Sequence, residues 1–273
     1  MALPSVNFIE GQGGLGRALA NNDHISALLY YTGATLPTGF ATTSTATRCK
    51  ALYSTDDAIA AGILKDYSDA TAATGTYTFT GAGAIGDTVE IKIADIATAT
   101  GAAQSTSLGV YTRASTDTTV TLLATSYVAL INAGTVTHGY TATNSSGVIT
   151  ITAPKRLGAY LNSLTAISAT INGSIAGSIS QFSGGVVSQL ALWYYHIAEF
   201  FRIQPKGKLW VGFFAVPGTY DFTEITSMQS NAGGEIRQIG VVKGSASAWS
   251  AGNITTINTV CAANKALYQP IQA

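Results

Sequence analysis

The feature that most constrains this 273-residue chain is a change of texture in its middle. Residues 71–185 are built largely from Thr, Ser, Ala and Gly. They hold only eight charged side chains: Asp87, Glu90, Lys92, Asp95, Arg113, Asp117, Lys155 and Arg156. Within them TYTFTG, TVEIKIAD, SLGVYTR, TVTLLA, VITITAP and AISATING alternate with period two, and Gly, Asn and Ser turns separate them. That alternation places every second side chain on one face of a pleated strand. Short strands at such intervals predict an all-β, sandwich-like domain over 71–185. TNSSG (Thr143–Gly147) reads as a hairpin turn, and KRLGAYLNSL (Lys155–Leu164) as a short helix or an irregular crossover.

The flanking residues, 21–70 and 186–273, have an ordinary mix of residue types and predict one discontinuous α/β core. HISALLYY (His24–Tyr31) and CKALY (Cys49–Tyr53) read as strands. Ser54 and Asp57 have the spacing of a capping box that opens the helix STDDAIAAGIL. Ser188 is a candidate N-cap for SQLALWYYHIAEFFRI, which Pro205 ends. KLWVGFFAV (Lys208–Val216) is apolar throughout, as expected of a strand buried on both faces. Asp221 and Glu224 predict a capped helix ending at Gly233-Gly234, and IRQIGVV (Ile236–Val242) the next strand. Asn253 predicts a helix running towards Leu267, with Pro270 ending it. Strand and helix in this rhythm predict parallel βαβ units. Residues 71–185 then read as an insertion between the two pieces of the core.

Composition narrows the function classes. Charged residues are 10 % of the chain, and Lys plus Arg equals Asp plus Glu at 14 each. Ordinary domains carry about 25 % charged residues, and near-zero net charge promotes association. The composition therefore suits a protein that lives inside an assembly. No basic patch offers nucleic acid an electrostatic footprint. No apolar run reaches the length of a membrane span. MALPSVNFIEGQGG has neither a basic nor an apolar leader segment, so the chain is expected to stay in the cytoplasm where it is made. Cys49 and Cys261 are the only cysteines, too few for a disulfide scaffold or a metal knuckle. Both are expected to be buried free thiols.

Chemistry-bearing motifs are sparse. GQGGLG (Gly11–Gly16) matches the dinucleotide fingerprint G-x-G-x-x-G. It lacks the preceding strand, a full helix after it and an acid about 20 residues on, so it reads as a flexible or close-packed segment. His196 and Glu199 share a helix face at three residues' spacing, but no second cluster converges with them. His196 reads as packed or interfacial, and His24 and His138 as isolated. No nucleophile elbow or carboxylate pair is present. Asp56 and Asp57 complement a helix dipole. Three Asn-x-Ser/Thr sequons, at Asn144, Asn172 and Asn253, carry no meaning without export. Around WYYHIAEFF, Trp193, Tyr194, Tyr195, Phe200 and Phe201 point to all sides, which predicts burial on several faces, either as a core helix lying on the sheet or in part against another subunit.

LALWYYHIAEFFRIQPKGKLWVGFFAVP (Leu190–Pro217) resembles the core of contractile phage tail sheath proteins, in which such a helix precedes an apolar strand. The opening MALPSVNFIEGQGGLG, the helix STDDAIAAGI and GGEIRQIGVV (Gly233–Val242) follow in the family's order. The resemblance covers residues 1–70 and 186–273. It implies a structural subunit with no catalysed reaction, no cofactor and no metal. Such subunits stack as hexameric rings around an inner tube, between baseplate and terminator proteins, in a virion tail or tailocin-like particle. It further implies that residues 1–20 are an assembly arm, with Leu3, Val6, Phe8 and Ile9 pairing with a neighbour and Gly11, Gly13, Gly14 and Gly16 as its hinge. Trp193, Tyr194, Tyr195, His196, Glu199, Phe200 and Phe201 become a core or interface helix. The family continues beyond the point matching Ala273, which implies a fragment, a split subunit or a shortened relative. Alternatives are a non-contractile tube or baseplate-proximal component, and a surface adhesin or glycan-binding module working through its β domain.

Overall fold

A computed structural model of the chain describes residues 25–94, 105–162, 164–244, 248–264 and 267–272. The expected arm (Leu3, Val6, Phe8, Ile9), its hinge (Gly11, Gly13, Gly14, Gly16) and His24 lie outside the described residues. In chain order the elements are β1 (Ile25–Tyr31), α1 (Thr45–Arg48), β2 (Cys49–Leu52), α2 (Thr55–Ala60), β3 (Thr74–Ala82), β4 (Thr88–Ala94) and β5 (Ser105–Thr112). There follow α3 (Val120–Ala133), α4 (Thr135–His138), β6 (Thr141–Ser145), β7 (Val148–Thr152), a 3-10 turn (Lys155–Leu161), β8 (Ile167–Asn172) and β9 (Ile175–Ser183). The chain closes with α5 (Gln189–Ile203), β10 (Lys208–Phe214), α6 (Thr223–Asn231), β11 (Gln238–Lys243), α7 (Ala251–Ala263) and β12 (Leu267–Gln272). The fold is mixed α/β with several sheets. It divides into two compact units, residues 1–65 with 190–273, and residues 66–189.

The first unit is built on a five-stranded sheet in the order β12-β11-β1-β10-β2. β1 pairs in parallel with β10 and β11, and β11 with β12, whereas β2 closes the other edge antiparallel to β10. Both faces are covered, which explains the unbroken apolar runs of β1 and β10. Ile25, Ala27, Leu29 and Tyr31 pack on Ile225 and Met228 of α6 and on Ile257 and Cys261 of α7. Tyr30, Leu209, Val211 and Phe213 pack on Trp193, Ile197 and Phe201 of α5. Each large apolar side chain buried in this way contributes roughly 1.5–3 kcal/mol. Cys49 and Cys261 are free and buried, and burial pushes their thiols up to about 12 and about 11.

Four local features depart from the expectation. The sheet is not wholly parallel, because β2 is antiparallel. The Asp221–Glu224 capping box does not form. Phe222 takes the N-cap position with φ 58°, Asp221 accepts from Thr223 N, and the Glu224 carboxylate accepts from Tyr31 Oη. At α2 the box is shifted by one residue: Ser54 Oγ accepts from Asp57 N, while Asp57 accepts from Tyr53 N. The last helix starts at Ala251, capped by Ser250, and ends at Ala263, so Leu267–Gln272 is a strand instead of the predicted helical tail. Pro270 is accommodated because β12 is an edge strand, where a missing N–H need not break a ladder.

The second unit contains two antiparallel sheets, β6-β7-β3-β9 and β5-β4-β8. One buried cluster draws on both, including Tyr77, Phe79, Ile149 and Ile151 from the first and Val89, Ile91 and Ile93 from the second. The expectation of an all-β domain is corrected by α3, a 14-residue helix where TVTLLA was expected to be a strand. Thr119 Oγ1 caps it by accepting from Leu122 N. Leu123, Ala124, Tyr127 and Ile131 then recur at helical spacing and are all buried, a period-3.6 pattern that overrides the short alternation at its start. The β6–β7 turn has Ser146 at φ 51° and Gly147 at φ 88°, as a tight two-residue hairpin turn requires. The unit extends to Asp66 and Gln189 because its ends are tied together. Thr71 and Val186 exchange backbone hydrogen bonds of 3.2 and 2.9 Å. The Asp69 carboxylate accepts from Ser188 Oγ and from Gln189 N.

Candidate assembly surface

Helix α5 has one fully buried stripe, Trp193, Ile197 and Phe201, at i, i+4 and i+8. The other aromatics expected to be buried on several sides are only half-buried, and Tyr195 is 60 % exposed. The buried stripe is anchored by rings. Trp193 lies 4.5 Å from Phe213, and Tyr30 lies 5.3 Å from Phe213 and 6.0 Å from Trp193, centroid to centroid. Phe200 meets Phe201 edge to face at 5.1 Å and closes over Gly207, where a Cβ would fall 2.8 Å from its ring. The Lys65 ammonium sits 6.0 Å over the Tyr194 ring.

His196 does not pair with Glu199. Its Nδ1 lies 3.2 Å from Tyr30 Oη, and the two rings are parallel with centroids 6.0 Å apart. Desolvation by burial holds the imidazole below its usual range. The neutral ring therefore accepts at Nδ1 from the Tyr30 hydroxyl, whose own proton burial holds on strongly. Glu199 instead receives Arg202, with Nε and a terminal guanidinium nitrogen each 2.8 Å from Oε2. This sequence-selected pair thus splits into a packing histidine and a surface ion pair.

The outward side of the helix carries Tyr195, the Glu199–Arg202 pair and Ile203, the last 67 % exposed. Tyr195, Glu199 and Ile203 stand at i, i+4 and i+8, so they form a single stripe. Beyond it, Ile203, Gln204, Pro205, Lys206 and Gly207 line a hollow of 310 Å³. Gln204 Oε1 is buried and has no hydrogen-bond partner among the described residues. Strand β10 begins next to this hollow. Lys208 bonds Glu235, which also accepts from Trp210 Nε1 at 2.7 Å. Burial alone would raise the Glu235 carboxyl, but Lys208 and Trp210 hold it below its usual range. Tyr53 lies below the Lys208 ammonium, 60 % exposed.

Sequence reasoning did not single out Ile203, Gln204 or Tyr53. The signal for Ile203 was present: a large aliphatic residue two positions before a helix-ending proline, on the side opposite the Trp193 stripe. Among the described residues no group of three or more His, Cys, Asp or Glu side chains could hold a metal ion, and no helix is long and apolar enough to cross a membrane. In comparison with known proteins, no family model and no curated protein matches the chain.

Proposed function

We propose that the chain is a structural subunit that assembles with copies of itself, in the manner of a contractile tail sheath: hexameric rings stacked around an inner tube, bounded by baseplate and terminator proteins in a virion tail or tailocin-like particle. One observation carries this reading. Helix α5 has its inner stripe fully occupied by the sheet, yet it still presents Tyr195 and Ile203 to the outside around an ion pair. Exposed aromatic and aliphatic anchors rimmed by charge are the composition of protein–protein contact surfaces. The low overall charge agrees with it, as does the likeness of Leu190–Pro217 to the sheath helix and strand. In this reading the second unit is the sandwich-like surface domain of the subunit, and residues 1–20 form the arm that joins neighbours. The work of contraction comes from inter-subunit packing that improves between two lattice states, so no catalytic group is required.

The test is sedimentation and electron microscopy of the purified chain beside a Tyr195→Asp, Ile203→Asp variant. The wild type forms large ringed or tubular particles, and the variant, with both substitutions on an exposed face, folds but stays small. Narrow rigid tubes would favour a non-contractile tail component, and a monomer in both samples would favour an adhesin-like module.

A further inference from the structure

Lys243, the last residue of β11, is only 6 % exposed. Its Nζ lies between two aromatic rings, 5.1 Å from the centroid of Tyr220 and 5.7 Å from that of Trp249. The rings belong to a continuous cluster: Tyr31 meets Tyr220 edge-on at 5.0 Å, Tyr220 stacks on Phe222 at 5.7 Å, and Phe222 on Trp249 at 5.9 Å. The ammonium donates to Ala248 O at 3.1 Å and reaches Asn253 Oδ1 at 3.5 Å. Both acceptors are neutral.

Withdrawing an ammonium from water costs several kcal/mol, which proteins normally offset with an anion. Among the described residues no carboxylate pairs with Lys243. The acids of the neighbouring loop are engaged elsewhere: Glu224 takes the Tyr31 hydroxyl at 2.7 Å, and Asp221 takes Thr223 N and Oγ1 at 3.1 and 3.0 Å. The two rings beside the ammonium also carry hydrogen-bond donors, Tyr220 Oη and Trp249 Nε1. Each of these atoms is buried and has no hydrogen-bond partner among the described residues. A buried polar group left in that state costs about 1–3 kcal/mol. One cation and two neutral donors, each without an anionic acceptor, thus belong to one cluster.

The topology places this cluster where open α/β sheets take ligands. β11 and β1 are neighbours, with Val242 opposite Tyr30, and both end at this point. The connection leaving β1 leads to β2, at the far side of β10. The connection leaving β11 leads through α7 to β12 at the opposite edge. The two connections diverge, which makes the ends of β1 and β11 the topological switch point of the sheet.

We propose that this cluster binds a small oxyanion, a phosphate or carboxylate group, with Lys243 as its charged ligand and Tyr220 Oη and Trp249 Nε1 as its neutral donors. The aromatic walls keep the ion pair dry and so strengthen it. The inference is independent of the assembly reading, since none of its groups belongs to α5.

The test is calorimetric titration of the full chain with inorganic phosphate and, separately, with succinate, both at fixed ionic strength against a chloride control. Saturable binding of one anion per chain, with a rise in Tm that chloride does not reproduce, is the expected result. The preferred anion tells a phosphoryl site from a carboxylate site. Lys243→Met abolishes binding. Tyr220→Phe keeps the ring packing and removes only the hydroxyl, so it weakens binding by about 3–10-fold, the loss of one hydrogen bond. It also keeps the test valid should Lys243→Met fail to fold. The proposal is overturned if neither anion gives saturable binding, or if binding is unchanged in Tyr220→Phe.

Discussion

Tyr30 Oη and His196 Nδ1 are 3.2 Å apart, between rings whose planes differ by only 1°. This contact ties the central strand of the sheet to helix α5 at a point where Tyr30 is fully buried and His196 half-buried. Its chemistry is one-directional. A neutral imidazole accepts from the phenol, whereas an imidazolium offers only donors.

The contact predicts acid sensitivity in the first unit. Burial lowers the His196 pKa in the folded state, so below the ordinary histidine value of about 6.5 the unfolded chain binds the extra proton first. The contribution of His196 is fully present above that value and is lost as pH falls beneath it towards the depressed folded pKa. Urea unfolding between pH 7.5 and 5 shows the midpoint falling in the wild type, and His196→Gln flattens that part of the profile. Tyr30→Phe, which deletes only the hydroxyl, costs about 1 kcal/mol at pH 7.5.

The two sides of α5 respond differently to truncation. Trp193→Ala empties a site 2 % exposed and costs about 3–5 kcal/mol, enough to unfold much of the unit. Tyr195→Ser changes unfolding stability by no more than about 0.5 kcal/mol, while particle size in sedimentation falls. Equal effects of the two substitutions on stability would contradict the distinction between an inner and an outer face.

In the second unit, Asp117 is 1 % exposed, and its carboxylate accepts from Tyr111 Oη (2.6 Å), Ser126 Oγ (2.8 Å) and Ala114 N (2.9 Å). Burial alone would raise its pKa, but these three donors and Arg113 bring it below the usual carboxylate range. Its stabilising contribution is therefore present above about pH 3.9, the unfolded value, and is lost as pH falls below it. Asp117→Ala leaves three donors without their acceptor and costs about 3 kcal/mol. Thermal melts of the variant and the wild type at pH 7 and pH 3 check both statements.

The paired backbone of Thr71 and Val186 offers a place to cut. Replacing residues 74–183 by a short Gly-Ser bridge retains that pair and the Asp69 carboxylate that holds Gln189 N. The product is expected to keep the circular dichroism of the α/β unit and to assemble as the full chain does. A folded but non-assembling product would give the second unit a role in the lattice.

The α/β unit was legible where burial imposes one periodicity over a whole element. KLWVGFF could only be a strand covered on both faces. The single inner stripe of α5, Trp193, Ile197 and Phe201, was not legible, because aromatic residues stand on every side of that helix. Where two patterns overlap, the reading failed. Val120 and Leu122 alternate like a strand, but Leu123, Ala124, Tyr127 and Ile131 continue as a helix, and the longer pattern dominates. Pro270 looked like a helix stop because edge position in a sheet cannot be read from one strand alone. Asp221 and Glu224 have capping-box spacing, yet the left-handed backbone at Phe222 and the reach of Tyr31 redirect both carboxylates. Lys243 gave no signal at all: a lysine ending a strand ordinarily points to water, and the rings that enclose it come from residues 220 and 249. The outward side of α5 was half legible, since the aromatic ring of residues was plain but which of them remain uncovered depends on the sheet.

Electron microscopy of the purified chain at high protein concentration and near-neutral pH decides whether it assembles as a sheath subunit would. Wide hollow tubes or stacked rings with sixfold cross-sections are expected, lost in the Tyr195→Asp, Ile203→Asp variant while its circular dichroism is retained. A monodisperse monomer, or tubes of unchanged width and abundance in the variant, would contradict that expectation.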